Sequence, residues 1–231
     1  MNKLWLAATL LASPALAQDA QPQAAPGDEI VVTAIKGMWA LEGKRIRAAQ
    51  AAFFAGRDRY APGSRMFFQI VPKGEKSAEA LRLTLRKGDD SEDVPIESDL
   101  RFGIRPLDSD DWKLIANRKP SEIGVRLWIL SPGSSEGDRR LGDLRLYCRV
   151  GWALVSDRFN FLQRAAFNTM GGCDSRRLMI FTSAQRPISE ASVTTPDGAA
   201  RPLKVVNNTR YQLPIADQSL PDTARVRLTY R

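Results

Sequence analysis

Histidine is absent from this chain of 231 residues. Without imidazole there is no serine or cysteine triad of the usual kind, no common zinc-hydrolase site and no histidine phosphorelay. Cysteine is scarce, with Cys148 and Cys173 as the only two thiols. Zinc normally takes about four ligands, so two sulfurs with no histidine beside them predict no metal site. If the two are bonded to each other, thiolate nucleophiles are excluded too, and no cofactor motif takes their place. The catalysis left open is carboxylate chemistry, as in glycoside cleavage, or a serine–lysine pair. After residue 17 no apolar run is long enough to cross a bilayer, so the mature chain is expected to have no transmembrane span. Internal sequence repeats are missing as well. The basic residues, among them Arg57, Arg82, Arg105, Arg140, Arg164 and Arg201, are dispersed without the aromatic motif of an RNA-binding sheet, which argues against nucleic acid.

What is present begins with an export signal. Lys3 precedes an apolar run that ends in Ala15-Leu16-Ala17, the layout of a secretory leader cleaved after Ala17. Ser13-Pro14 interrupts the run, which is shorter than the roughly 20 residues of a membrane anchor. The expected location is the periplasm of a Gram-negative bacterium, with outer-membrane association as a further option. Lysine and arginine number 34 against 26 acidic residues, and the net charge of +8 falls by one when Lys3 leaves with the leader. An exported basic protein is drawn to polyanions such as lipopolysaccharide or anionic lipid. In an oxidising compartment an even pair of cysteines favours a Cys148–Cys173 disulfide, worth roughly 3 to 4 kcal/mol against the unfolded chain in the loop-entropy model. Two buried free thiols are the alternative.

Residues 18–27, QDAQPQAAPG, are small, polar and proline-broken, a flexible tether. The next stretch, Asp28, Glu29, Ile30, Val31, Val32, Thr33 and Ala34, resembles the TonB box of TonB-dependent outer-membrane receptors, which likewise follows a flexible leader. The resemblance implies an extended segment, within a region 18–36, that adds to a strand edge of TonB. It covers seven residues, and the rest of the chain has neither a plug domain nor a series of membrane strands. As bare sequence the β-branched run also reads as the first strand of a sheet.

From 43 to 59 the residues Ile46, Ala49, Phe53, Gly56 and Tyr60 share one face of an expected helix, stopped by Pro62-Gly63. Its basic flanks admit a membrane surface, though an alanine-rich face is cut for close packing. Short β-forming runs follow at 66–71, 81–86, 99–104, 112–117 and 123–130, and again at 177–183, 191–195, 203–207 and 224–230. In 81–86 Leu81, Leu83 and Leu85 alternate with Arg82, Thr84 and Arg86. Two acidic clusters, 89–93 and 108–111, read as solvated turns; as a carboxylate pair, Asp90 or Asp93 would work with Asp110 or Asp111.

Residues 131–138 read as a linker. Beyond it Leu141, Leu144, Cys148, Trp152 and Val155 have helical spacing, while Leu144, Leu146, Cys148, Val150 and Trp152 alternate like a strand. Helix is the favoured reading, started near Ser134, Ser135 and Glu136, with Cys148 and Trp152 facing the core. Ser156 and Asp157 would cap a further helix bearing a Phe159, Leu162, Ala166 and Met170 stripe and ending at Gly171-Gly172.

The expected fold is α+β: residues 37–131 form a helix on a mainly antiparallel sheet or sandwich, and 138–231 a helix pair followed by a second small β unit. One continuous domain is the alternative. The expected function is a non-catalytic, envelope-associated protein acting through contacts with envelope proteins or with polyanions. A carboxylate-dependent carbohydrate-active enzyme and a TonB-coupled accessory are the alternatives.

Overall fold

The computed structural model describes residues 37–74 and 78–231, so the leader, the tether and the segment 28–34 lie outside the described residues. The first half runs β1 (Ala40–Glu42), α1 (Gly43–Tyr60), β2 (Arg65–Pro72), β3 (Leu83–Lys87), β4 (Asp90–Val94), β5 (Arg101–Phe102), β6 (Lys113–Ala116) and β7 (Ile123–Leu130). The second half runs β8 (Asp138–Arg140), α2 (Leu141–Val155), α3 (Phe161–Thr169), β9 (Phe181–Ser183), β10 (Ile188–Thr194), β11 (Ala200–Pro202), β12 (Val205–Val206), β13 (Arg210–Gln212) and β14 (Arg225–Tyr230). The fold is α+β with antiparallel sheets, as composition and strand spacing predict.

The larger sheets of the two halves repeat one strand order, although no repeat is visible in the residues. The first half has a sheet of order β1-β6-β3-β4 and the second a sheet of order β8-β14-β10-β11. Each contains the half's opening strand, a central hairpin and a late strand, in equivalent places. A smaller sheet accompanies each, β5-β2-β7 and β12-β13-β9. In both halves a three-residue strand passes straight into a helix with a glycine at its start, Gly43 as the first residue of α1 and Gly142 as the second of α2. The Gly43 N–H donates to the Trp112 carbonyl at 2.6 Å, just before β6, and the Gly142 N–H to the Asp222 carbonyl at 3.0 Å, shortly before β14. A Cβ at Gly43 would collide with the Trp112 carbonyl oxygen, and one at Gly142 with that of Tyr60, so both close approaches require glycine.

Each helix also reaches across with one buried polar side chain to hold the loop that leads into that late strand. Gln50 donates to the Arg105 carbonyl at 2.7 Å and accepts from the Leu107 N–H at 3.1 Å. Arg145 donates to the carbonyls of Ile215 at 3.0 Å, Asp217 at 2.6 Å and Leu220 at 3.0 Å, and to the Asp222 carboxylate at 2.5 Å. Buried polar atoms need such partners, and these contacts give two irregular loops a fixed path.

Helix α1 follows its expected span, with Ile46, Ala49, Phe53 and Gly56 buried. It packs on α2, where Gly56 faces the Leu146 side chain at a distance that leaves no room for a Cβ. Helix α2 belongs to both cores: Leu146, Tyr147, Val150 and Leu154 join Trp39, Phe53 and Phe68 in one, and Leu141 and Leu144 join Ile188, Val193 and Val226 in the other. A helix that is apolar on two sides has weak periodicity, which explains why its residues also read as a strand. Cys148 and Trp152 are only half-buried, so the expected core face is corrected to Leu144, Tyr147, Val150 and Leu154. The start is corrected too. Residues 138–140 are strand, and Arg140 precedes the helix without a side-chain cap. Asp143, fully buried in the first turn, accepts from the Ser131 N–H at 3.0 Å and hydroxyl at 2.6 Å, which ties the end of β7 to α2 across a short turn.

Ser156 and Asp157 belong to a 3-10 turn, Ser156–Arg158, and do not cap α3. Asn160 does, in a capping box with Gln163. Gly171 at φ +95° ends the segment as expected. Of the stripe Phe159, Leu162, Ala166 and Met170, Phe159 precedes α3 and stacks on Trp152 with centroids 5.3 Å apart, while α3 itself has no fully buried residue. It is held through Phe167, whose ring stacks on Trp152 with centroids 4.0 Å apart.

Candidate functional site

The disulfide forms between Cys148 of α2 and Cys173, with the Cα atoms 6.0 Å apart. It anchors the segment that leaves α3 and runs along the second core. Immediately beyond it, Ser175, Arg176, Leu178 and Met179 form one wall of a cleft of about 650 Å³. The opposite wall comes from β11 and its continuation, Arg201, Pro202, Leu203 and Lys204, and the end from Leu213, Pro214, Asp217 and Ser219. Backbone bonds fix the walls relative to one another. The Gln212 N–H donates to the Lys204 carbonyl at 2.9 Å, and the Leu213 N–H to the Ile180 carbonyl at 2.8 Å.

The lining combines leucine and proline side chains with exposed cations. Arg176, Arg201 and Lys204 are exposed, and Asp217 is the single carboxylate among the lining residues. That carboxylate is already committed. It takes the Ser219 hydroxyl at 2.5 Å and N–H at 3.0 Å, and Arg201 lies 2.8 Å away. The Ser219 hydroxyl and the Arg201 guanidinium hold Asp217 down to about 2, so it is ionised at any physiological pH and its charge is offset in place. Arg176 and Lys204 have no ion-pair partner among the described residues. The lining thus presents two uncompensated cations over leucine and proline, an arrangement suited to an anionic group carried on an apolar or glycan body. A neighbouring hollow of about 490 Å³ shares Arg201, Pro202 and Leu203 and adds one carboxylate, Glu190, from β10.

The acidic clusters fall elsewhere. Residues 90–93 are in β4, an exposed edge strand and not the expected turn: Asp90–Val94 pairs with β3 along its length. Glu92 receives Arg105 Nε at 2.8 Å. In the second cluster Asp108 accepts the Trp112 indole N–H at 2.6 Å, Asp110 pairs with Arg47 at 2.6 Å, and Asp111 accepts the Ser109 hydroxyl at 2.6 Å. The indole bond leads in lowering the Asp108 pKa, the opposite of what a carboxyl acting as general acid requires. Glu92, Asp108, Asp110 and Asp111 are thus each engaged by a neighbouring side chain. Among the described residues no group of three or more metal-ligating side chains converges. No helix among them is long and apolar enough to cross a membrane. The segment Asp28 to Ala34 lies outside the described residues.

Residue-by-residue reading of the chain missed the cleft. Arg176 stands in a different segment from Arg201 and Lys204, and the pairing of β10 with β11 and of β13 with β9 brings the two walls together. The available signal was global: the excess of basic residues. The chain matches no known protein family, no curated protein and no solved structure.

Proposed function

We propose that this is an exported, non-catalytic envelope protein that binds a polyanionic ligand through the cleft between Arg176 and Lys204. The observation that carries this reading is the lining itself, in which the sole carboxylate is neutralised locally and two exposed cations are left without partners. The net charge of +8 adds long-range attraction of the same sign. The leader at residues 1–17 and the disulfide fit an oxidising compartment outside the cytoplasm, where the abundant polyanions are lipopolysaccharide and anionic lipid.

The walls of the cleft are set by backbone pairing and by the disulfide, so recognition needs little rearrangement. Arg201 is held by Asp217 and supplies a fixed donor, while Arg176 and Lys204 adapt to the spacing of the ligand's phosphate or carboxylate groups. The test is retention of the mature protein on immobilised lipopolysaccharide, compared with Arg201→Ala/Lys204→Ala. Both substitutions are on exposed side chains, so folding is expected to survive. The variant should lose at least about tenfold in affinity, since each desolvated charge contact contributes on the order of 1 kcal/mol. Equal affinity of the two proteins would overturn the assignment.

A further inference from the structure

Six large apolar side chains are exposed among the described residues, and four of them, Phe161, Leu162, Met170 and Met179, fall within residues 158–179. Phe161 and Leu162 are the most exposed of all, at 74% and 75%. They open α3, and Leu162, Ala166 and Met170 continue along the helix at four-residue spacing, so the exposed residues form a continuous strip. The inner side of α3 is occupied differently, by Phe167 against Trp152. The whole apolar strip therefore faces outward on a helix that is fixed at its start by a capping box and just past its end by the disulfide.

The same stretch is cationic. It contains Arg158, Arg164, Arg176 and Arg177, and its one acidic residue is Asp174. Asp174 is taken by Arg149, which holds both carboxylate oxygens at 2.6 Å. Next to the strip, Arg45 of α1 pairs with Asp157 at 2.9 Å and so brings another guanidinium close to Arg158. Burial and this neighbouring charge both lower the Arg158 pKa from its ordinary value, which places Arg158 in a field that an external anion would relieve.

We infer that residues 158–179 form an interfacial anchor, with Phe161 and Leu162 entering the headgroup region of an anionic bilayer and the arginines contacting its phosphates. A second copy of the chain fits less well. A helix of nine residues offers far less than the roughly 800 Å² per partner of a stable protein interface, whereas a bilayer needs no matched surface. The inference rests on the export reading for access to a membrane. It does not rest on the cleft, with which it shares Arg176 and Met179.

The experiment is co-sedimentation of the mature protein with vesicles of phosphatidylcholine containing phosphatidylglycerol, and with phosphatidylcholine alone. Wild-type protein should partition onto the anionic vesicles and stay in solution with the neutral ones. Phe161→Ser/Leu162→Ser should weaken anionic-vesicle binding about 30-fold, a partial burial of two large side chains. Its melting temperature should be unchanged, because α3 buries no side chain. Phe54→Ser, an exposed apolar residue of α1, should bind vesicles like wild type. Undiminished vesicle binding by the double variant would overturn the anchor, as would equal binding to neutral vesicles. A concentration-dependent dimer abolished by the same double variant, with no vesicle binding, would overturn it in favour of a second copy. Lipopolysaccharide retention read in parallel separates the two sites: loss of the anchor with intact retention leaves the cleft reading standing.

Discussion

Arg145→Met cuts the tie between α2 and the loop entering β14 while keeping the apolar stem of the side chain in place. The guanidinium is 7% exposed and donates to three backbone carbonyls and one carboxylate. Methionine satisfies none of them. Each orphaned buried acceptor costs about 1–3 kcal/mol, although the half-exposed Asp222 recovers water and the terms are not additive. A loss of about 3–5 kcal/mol follows, the range found when one partner of a buried pair is removed. Against a typical total of roughly 5–15 kcal/mol, this is a large fraction of the stability. Equilibrium unfolding in urea reads it as a midpoint lowered by about 1–2 M with an unchanged slope. Arg149→Met is the matched control. It removes an exposed pair with Asp174 and should cost less than about 1 kcal/mol. A loss below about 1 kcal/mol for Arg145→Met would refute the argument that this side chain determines the loop's path.

Three further outcomes follow from the same geometry. Cys148→Ser/Cys173→Ser should cost about 3–4 kcal/mol for a separation of 25 residues, with faster amide exchange concentrated between 156 and 174, where the Phe167 ring is the main remaining tie of α3 to the core. Gly142→Ala should destabilise by at least about 3 kcal/mol, since its Cβ meets a backbone oxygen that cannot move aside; Gly151→Ala, with open space around it in the same helix, should stabilise by about 0.5–1 kcal/mol, and thermal melts distinguish the two. Asp217 titrates near 2 in the folded protein against 3.8 unfolded, so its contribution is fully present above about pH 4 and is lost as pH falls toward 2; Asp217→Asn should flatten the stability profile in that window and leave its shape above it unchanged.

Much of the architecture was legible in the residues. The α1 face of Ile46, Ala49, Phe53 and Gly56 and the strand at Ile123–Leu130 follow directly from period and turn signals, and the cysteine pair is bonded. Elements defined by their neighbours were not legible. β4 is polar throughout its exposed part and is a strand only because β3 pairs with it, and its three carboxylates suit an unpaired edge. β1 and β8 are three-residue strands with no period to read. α2 concealed its type because it packs on two cores at once. The stripe on α3 was readable as apolar, but apolar spacing does not distinguish a core face from a docking face. The cleft depends on hairpin pairing across residues 176–217, so local windows contain no trace of it.

Polyanion binding through the cleft is electrostatic if Arg176, Arg201 and Lys204 carry it. Affinity for lipopolysaccharide measured across a series of salt concentrations, for wild type and Arg201→Ala/Lys204→Ala, tests it most directly. Wild-type affinity should fall steadily as salt rises, because screening and counterion release weaken each charge contact, and the variant should bind more weakly with a shallower dependence. Wild-type binding that persists unchanged from low to high salt, or a variant that follows the wild-type curve, would contradict it.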